Sequence, residues 1–134
     1  MNVRRLASLV PVVLLSIALW AGSALAGPGK VYVADEEGDA VYATPDSRLL
    51  FVANQGSKKA PGRTVSVIDF ARLEVVKTLE TGPGAHGVVV ATDGRYAFVT
   101  NTYGNTVSVI EVAGLKVVAT VPVGKGPNGV SVTP

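Results

Sequence analysis

The segment TVSVIDFARLEVVKTLETG (Thr64–Gly82) returns downstream as TVSVIEVAGLKVVATVPVG (Thr106–Gly124), an offset of 42 residues. The match extends outward: Gly87 of HGVVVAT and Gly129 of NGVSVTP are again 42 apart, and Phe51 of FVAN and Phe98 of FVTN are 47 apart. The five extra residues fall in one segment, Gln55–Arg63, where the second copy has only Thr102–Asn105.

Each copy reads as four short strands. Gly87–Thr92 precedes an Asp-Gly turn signal, and Tyr96–Asn101, Thr106–Val112 and Lys116–Val123 follow. β-Branched and aromatic residues dominate these runs, with Gly, Asn or Asp between them, the pattern of an antiparallel meander. Val107, Val109 and Glu111 share one side of their strand and Thr106, Ser108 and Ile110 the other. Partly apolar faces on both sides suit a sheet stacked between neighbouring sheets. The chain is therefore all-β, and a period of about 40–45 residues is that of four-stranded propeller blades. Blade one is expected over Ala40–Glu80, blade two over Gly87–Val123, and the start of a third over Gly129–Pro134.

The stretches FVAN, GRTVSVIDF, FVTN, GNTVSVIEV and KVVATVPVGKGPNGVSVTP resemble the YVTN family of β-propeller repeats, the YncE-like or forty-residue-repeat propellers of exported bacterial proteins. The resemblance covers nearly all of the chain past Gly27. It implies a radial order, with GVVVAT at the axis, then YAFVTN, TVSVIEV and, outermost, KVVATVPV.

Two whole blades fall short of the four or so that a closed ring needs. Upstream, Val31–Val41 matches the FVTNTYGNTV segment but stands only 19 residues before its next copy, counted from Tyr32 to Phe51. Three readings stay open: a truncated or internally deleted relative of a longer propeller, several copies that associate to complete one, or an open pair of sheets stable as it stands.

The chain starts with MNVRR, continues through an apolar run to Trp20 and reaches AGSALA before Gly27. A basic start, an apolar core of about 15 residues and small residues at Ala24 and Ala26 describe a secretory signal peptide over residues 1–26. The run is short for a membrane span. Cleavage after Ala26 predicts a periplasmic or secreted protein with no span. It removes Arg4 and Arg5 from the 12 basic residues and leaves 10 against 10 acidic ones. That balance gives no basic excess for a nucleic acid. The chain has no cysteine, which excludes disulfides, thiolate sites and covalent haem attachment.

Blade topology gathers four segments on one face: Gln55–Arg63, Gly82–His86, Thr102–Asn105 and Gly124–Asn128. Propellers bind ligands at the channel mouth, so the low-specificity candidates are His86, Asn128, Tyr103, Lys58 and Lys59. His86 is the only histidine, and Asn128 holds its position in the next repeat. A turn-stabilising role explains both equally well, and one histidine cannot make a zinc site. Asn54 and Asn101 close the second strands and read as structural, through left-handed backbone and bonds to their own turns. Asp46 and Asp93 read as turn residues. Asp35, Glu36, Glu37 and Asp39 lack the spacing of a calcium loop and read as an exposed acidic turn. No metal, cofactor or catalytic residue is expected.

The resemblance implies an exported, non-enzymatic binding or scaffold module whose partner is a protein or a small molecule. The alternative is part of a propeller enzyme or cofactor domain, lactonase-like or accessory to periplasmic quinone or haem redox systems. A catalytic site would need several convergent acids, bases or arginines at the mouth, and the lone His86 does not supply them.

Overall fold

The computed structural model describes residues 40–134; the expected leader, the acidic turn and the Val31–Val41 repeat up to residue 39 lie outside the described residues. Two four-stranded sheets follow one another along the chain. The first comprises β1 (Ala40–Ala43), β2 (Leu49–Gly56), β3 (Pro61–Asp69) and β4 (Glu74–Glu80). The second comprises β5 (Ala85–Val90), β6 (Tyr96–Asn101), β7 (Thr106–Glu111) and β8 (Lys116–Pro122). Each sheet has its strands in sequence order, every neighbour is antiparallel, and no helix occurs among the described residues.

The two copies share a bulge between their third and fourth strands. Between β3 and β4 the register slips at Val67/Ile68, and between β7 and β8 at the equivalent Val109/Ile110. Val76 and Val118 are the residues left unpaired by these bulges, and both are exposed. The turns after β3 and β7 put Leu73 and Leu115 at φ 56° and 45°, a conformation unfavourable for leucine. In the second sheet Leu115 offsets this by packing against the core.

The long segment of the first copy departs from expectation. Gln55–Arg63 is read from sequence as a loop, yet β2 runs to Gly56, β3 begins at Pro61, and Gly56 pairs with Pro61 across a register shift. Only Ser57–Ala60 turns, closed by reciprocal backbone bonds of 3.0 and 3.1 Å. The extra residues lengthen a hairpin, because a bulge lets the ladder continue past Asn54.

The core lies between the sheets. Phe51, Ala53, Val65, Val67 and Leu79 on one face of the first sheet meet Val88, Val90, Ala97, Val99 and Ile110 on the second. β5 lies over β1, β2 and β3, and the outer strands β4 and β8 also touch. Each such side chain taken from water contributes roughly 1.5–3 kcal/mol before entropy is counted. The other face of the first sheet carries a second cluster, Leu50, Val52 and Ile68. The first sheet is thus apolar on both sides, as the alternation predicts. After β8, residues 123–134 contain no further strand, so Gly129–Thr133 forms no ladder.

Asn54 and Asn101 are structural for a reason other than the expected one. Neither has left-handed backbone; Asn105 does, at φ 54°. Instead their side chains reach sideways. Asn101 Nδ2 donates to Thr106 Oγ1 and Ser108 Oγ, both at 2.9 Å, and Asn54 Nδ2 does the same to Thr64 and Ser66 at 3.0 and 3.1 Å. Asn101 Oδ1 then accepts from the backbone N–H of Gly82, in the segment joining the sheets, at 3.0 Å. This fully buried amide ties β6 to β7 and the second sheet to the first. Replacing Asn101 with Ala strands the Gly82 N–H and two hydroxyls, and urea unfolding is expected to show a loss of about 2–3 kcal/mol. A variant within about 0.5 kcal/mol of the parent, the range of neutral surface changes, contradicts this assignment.

Candidate functional site: the hydrogen-bonded rim

One end of the sheet pair is a chain of loops bonded to one another in sequence order. Gly84 N donates to Gly62 O at 2.7 Å, and Thr102 N donates to Gly84 O at 2.8 Å. Tyr103 N and Gly104 N both donate to Pro83 O at 3.1 Å. Thr102 Oγ1 donates to Pro127 O at 2.8 Å, and Gly126 N donates to Asn105 Oδ1 at 2.9 Å. The β2–β3 hairpin end, the β4–β5 connection, the β6–β7 turn and the segment after β8 therefore form one rim. The threonines and asparagines of these loops are used to hold backbone to backbone, which fixes the rim's shape.

All five candidate residues lie on the segments that build this rim. Lys58 and Lys59 sit exposed in the Ser57–Ala60 turn. Tyr103 is partly exposed, and its ring packs so closely on Gly84 that an added Cβ there would stand 2.5 Å from Tyr103 Cδ2. His86 is not in a loop: it lies in β5, inside the register shift between Ala85 and Val88. The bulge places Gly87 N on Thr100 Oγ1 at 2.8 Å, and His86 within it is half-buried. Asn128 is exposed, and its backbone carbonyl accepts from Thr100 Oγ1 at 3.0 Å. That carbonyl would lie 2.4 Å from a Cβ on Gly87, so the chain crosses there only because position 87 lacks a side chain.

The opposite end holds a cleft of about 530 Å³, which sequence reasoning did not single out. It lies between the Thr44–Leu49 turn of the first sheet and the Asp93–Tyr96 turn of the second, with Asp69, Glu111 and Leu115 around it. No local motif signals it, because its walls come from hairpins of different repeats. Its carboxylates are engaged with their own turns. Asp46 Oδ1 accepts from Thr44 Oγ1 at 2.6 Å and from Arg48 N at 3.1 Å; Asp93 Oδ1 accepts from Arg95 N at 3.0 Å. The Thr44 hydroxyl and then the Arg48 amide hold the Asp46 carboxyl below its usual value. The amides of Arg72 and Ala71 do the same for Asp69. Such carboxylates stay ionised at neutral pH and suit turn closure better than proton donation. Arg95 lies over the Tyr96 ring, 5.7 Å from its centroid, and firms the rim of the cleft.

The sequence profile of the YncE-like beta-propeller family matches residues 24–133. The chain belongs to that family. Among solved structures, hydrazine synthase of Kuenenia stuttgartiensis is similar to it with a TM-score of 0.63 and 23% identity, over 74% of this chain and 27% of that one. The dihydro-heme d1 dehydrogenase NirN in complex with DHE is similar with a TM-score of 0.57 and 20% identity, over 71% and 20%. The RRP9 WD40 repeats are similar with a TM-score of 0.55 and 11% identity, over 64% and 26%. At these identities the likeness is one of fold. The chain spans about a quarter of the length of these structures or less. No curated protein matches it in sequence.

Two outcomes follow for this family member. Gly84 has φ +72° and no room beside Tyr103, so Gly84→Ala is expected to cost about 1–3 kcal/mol in urea unfolding. The Asp46 and Asp69 carboxyls have folded values below the ordinary 3.8. Their contribution is present above 3.8 and lost as pH falls through the lower folded values. Thermal unfolding followed from neutral pH downward is expected to show this loss, and Asp46→Ala to make the acid limb shallower.

Proposed function

We propose that this YncE-like chain is exported and acts as a binding or scaffold module through its loop rim, without catalysis. The observation that carries the reading is how the rim spends its polar groups. Thr100, Thr102, Asn101 and Asn105 bond to the backbone of adjoining loops. The side chains left displayed include Lys58, Lys59, Arg63, Lys125, Asn128 and the partly exposed Tyr103. A rigid frame that presents cations, an amide and one aromatic ring suits recognition of a protein or a small molecule. Among the described residues no three His, Cys, Asp or Glu side chains come together as metal ligands do. No helix there is long and apolar enough to cross a membrane.

The second reading, a portion of a propeller enzyme or cofactor domain, is favoured by one feature. His86 sits in a bulge of the inner strand, where side chains are commonly re-aimed towards a site.

The test has two arms. Mass spectrometry of the protein recovered from a bacterial host is expected to find a chain that starts at Gly27 in the exported fraction. Retention of residues 1–26 overturns the export reading. Turnover of a lactone panel, compared between the parent and His86→Ala, is expected to be at background in both. Turnover by the parent that His86→Ala loses favours the enzyme reading.

A further inference from the structure

The five residues present only in the first copy lengthen the β2–β3 hairpin, and the segment that holds them carries charge. The hairpin end is exposed at every residue from Gly56 to Pro61. Lys58 and Lys59 take the two positions between Ser57 and Ala60, whose backbones bond reciprocally. A two-residue hairpin loop favours Asn or Gly for its backbone geometry, so the turn itself does not call for two lysines. Ser57 Oγ also accepts from Ala60 N at 3.1 Å. The base of the hairpin is pinned where Arg63 O and Gly62 O accept from Thr81 N and Gly84 N, both at 2.7 Å. The lysines are therefore carried on a fixed support. The equivalent turn of the second copy, Thr102–Asn105, has no charged residue.

Charge is also sorted between the two ends of the sheet pair. The four rim segments hold Lys58, Lys59, Arg63 and Lys125 and no Asp or Glu. Asp46, Asp69, Glu74, Asp93 and Glu111 stand at or beside the turns of the opposite end, with Arg48, Arg72, Arg95 and Lys116 among them. Glu80 closes β4 beside the rim, where it pairs in register with Thr64. Among the described residues no carboxylate forms an ion pair with the rim cations; Glu111 pairs with Lys116 at the other end, at 3.2 Å. We infer that the β2–β3 hairpin end takes an acidic segment of a partner protein, whose carboxylates meet Lys58 and Lys59 with Arg63 beside them. The inference rests on the reading of the rim as a binding surface and names the chemistry of what it binds. A turn exposed at every residue has no enclosing walls for a small ligand. Lysines present separate point charges, which suit successive carboxylates along a peptide. The full chain has 12 basic residues against 10 acidic ones, too even a balance for the phosphate backbone of a nucleic acid. Gly56–Arg63 also has no large apolar side chain to enter a lipid surface.

Fluorescence anisotropy with a labelled oligoglutamate peptide, on protein purified after expression of the full chain, tests it. Saturable binding that weakens as salt rises is expected. Lys58→Gln combined with Lys59→Gln is expected to weaken it about fivefold or more. Both positions are exposed, so circular dichroism should show the fold retained. Lys58→Arg with Lys59→Arg keeps the charge and is expected to keep the binding, as is Lys77→Gln, a cation removed from β4. Duplex DNA and phosphatidylserine vesicles serve as competing probes at the same salt. Tighter binding to either than to oligoglutamate overturns the choice of an acidic protein segment. No binding of oligoglutamate, or binding that the double Gln variant leaves unchanged, overturns the inference but leaves the rim open to uncharged partners. Binding that falls instead with Arg48→Gln and Arg95→Gln puts the acidic segment at the opposite end and overturns the rim reading as well.

Discussion

The arrangement depends on one buried amide. Asn101 ends β6 with its side chain lodged against β7, donating to the hydroxyls of Thr106 and Ser108. Its oxygen accepts from Gly82 N, which lies before β5. An amide can do this because it carries donors and an acceptor on one rigid plane. A carboxylate lacks the donors, and a hydroxyl lacks the reach. Inside a dry interface each of these groups would be costly to leave unpaired. The same bonds therefore specify how the sheet curls at β6–β7 and where the next sheet starts.

Around that anchor the molecule is a stack. The sheets gain stability by covering one another, so the inner strands β2 and β3 are apolar on two sides where a two-layer sandwich would be apolar on one. The logic makes every sheet both a cover and a thing to be covered. β5 covers the first sheet, while the outward side of the second sheet keeps the character of a covered surface. The two sheets do not close a ring among the described residues.

The ends of the stack differ in kind. At one end, loops of successive repeats are stitched by backbone bonds, and the candidate residues are held on a fixed frame. At the other, Asp46 and Asp93 each close their own turn, and the space between adjacent turns opens into a cleft. The first end is shaped by contacts between repeats, the second by contacts within them.

Much of this was legible in the residues. The 42-residue offset, the β-branched runs and the two-sided apolar pattern of TVSVI determine strand number, order and stacking, because side-chain alternation follows directly from strand geometry. The roles of Asp46 and Asp93 were also readable, since an Asx turn is local. Three features were decided only in three dimensions. Asn101 reads locally as a turn residue, because its partner Gly82 lies 19 residues away in sequence. His86 reads locally as a loop residue, because a bulge depends on the partner strand. The cleft has no sequence trace because its walls meet only when the sheets pack. Periodic and local constraints can be read from a string of residues. Bonds and spaces between distant segments exist only after the stack has formed.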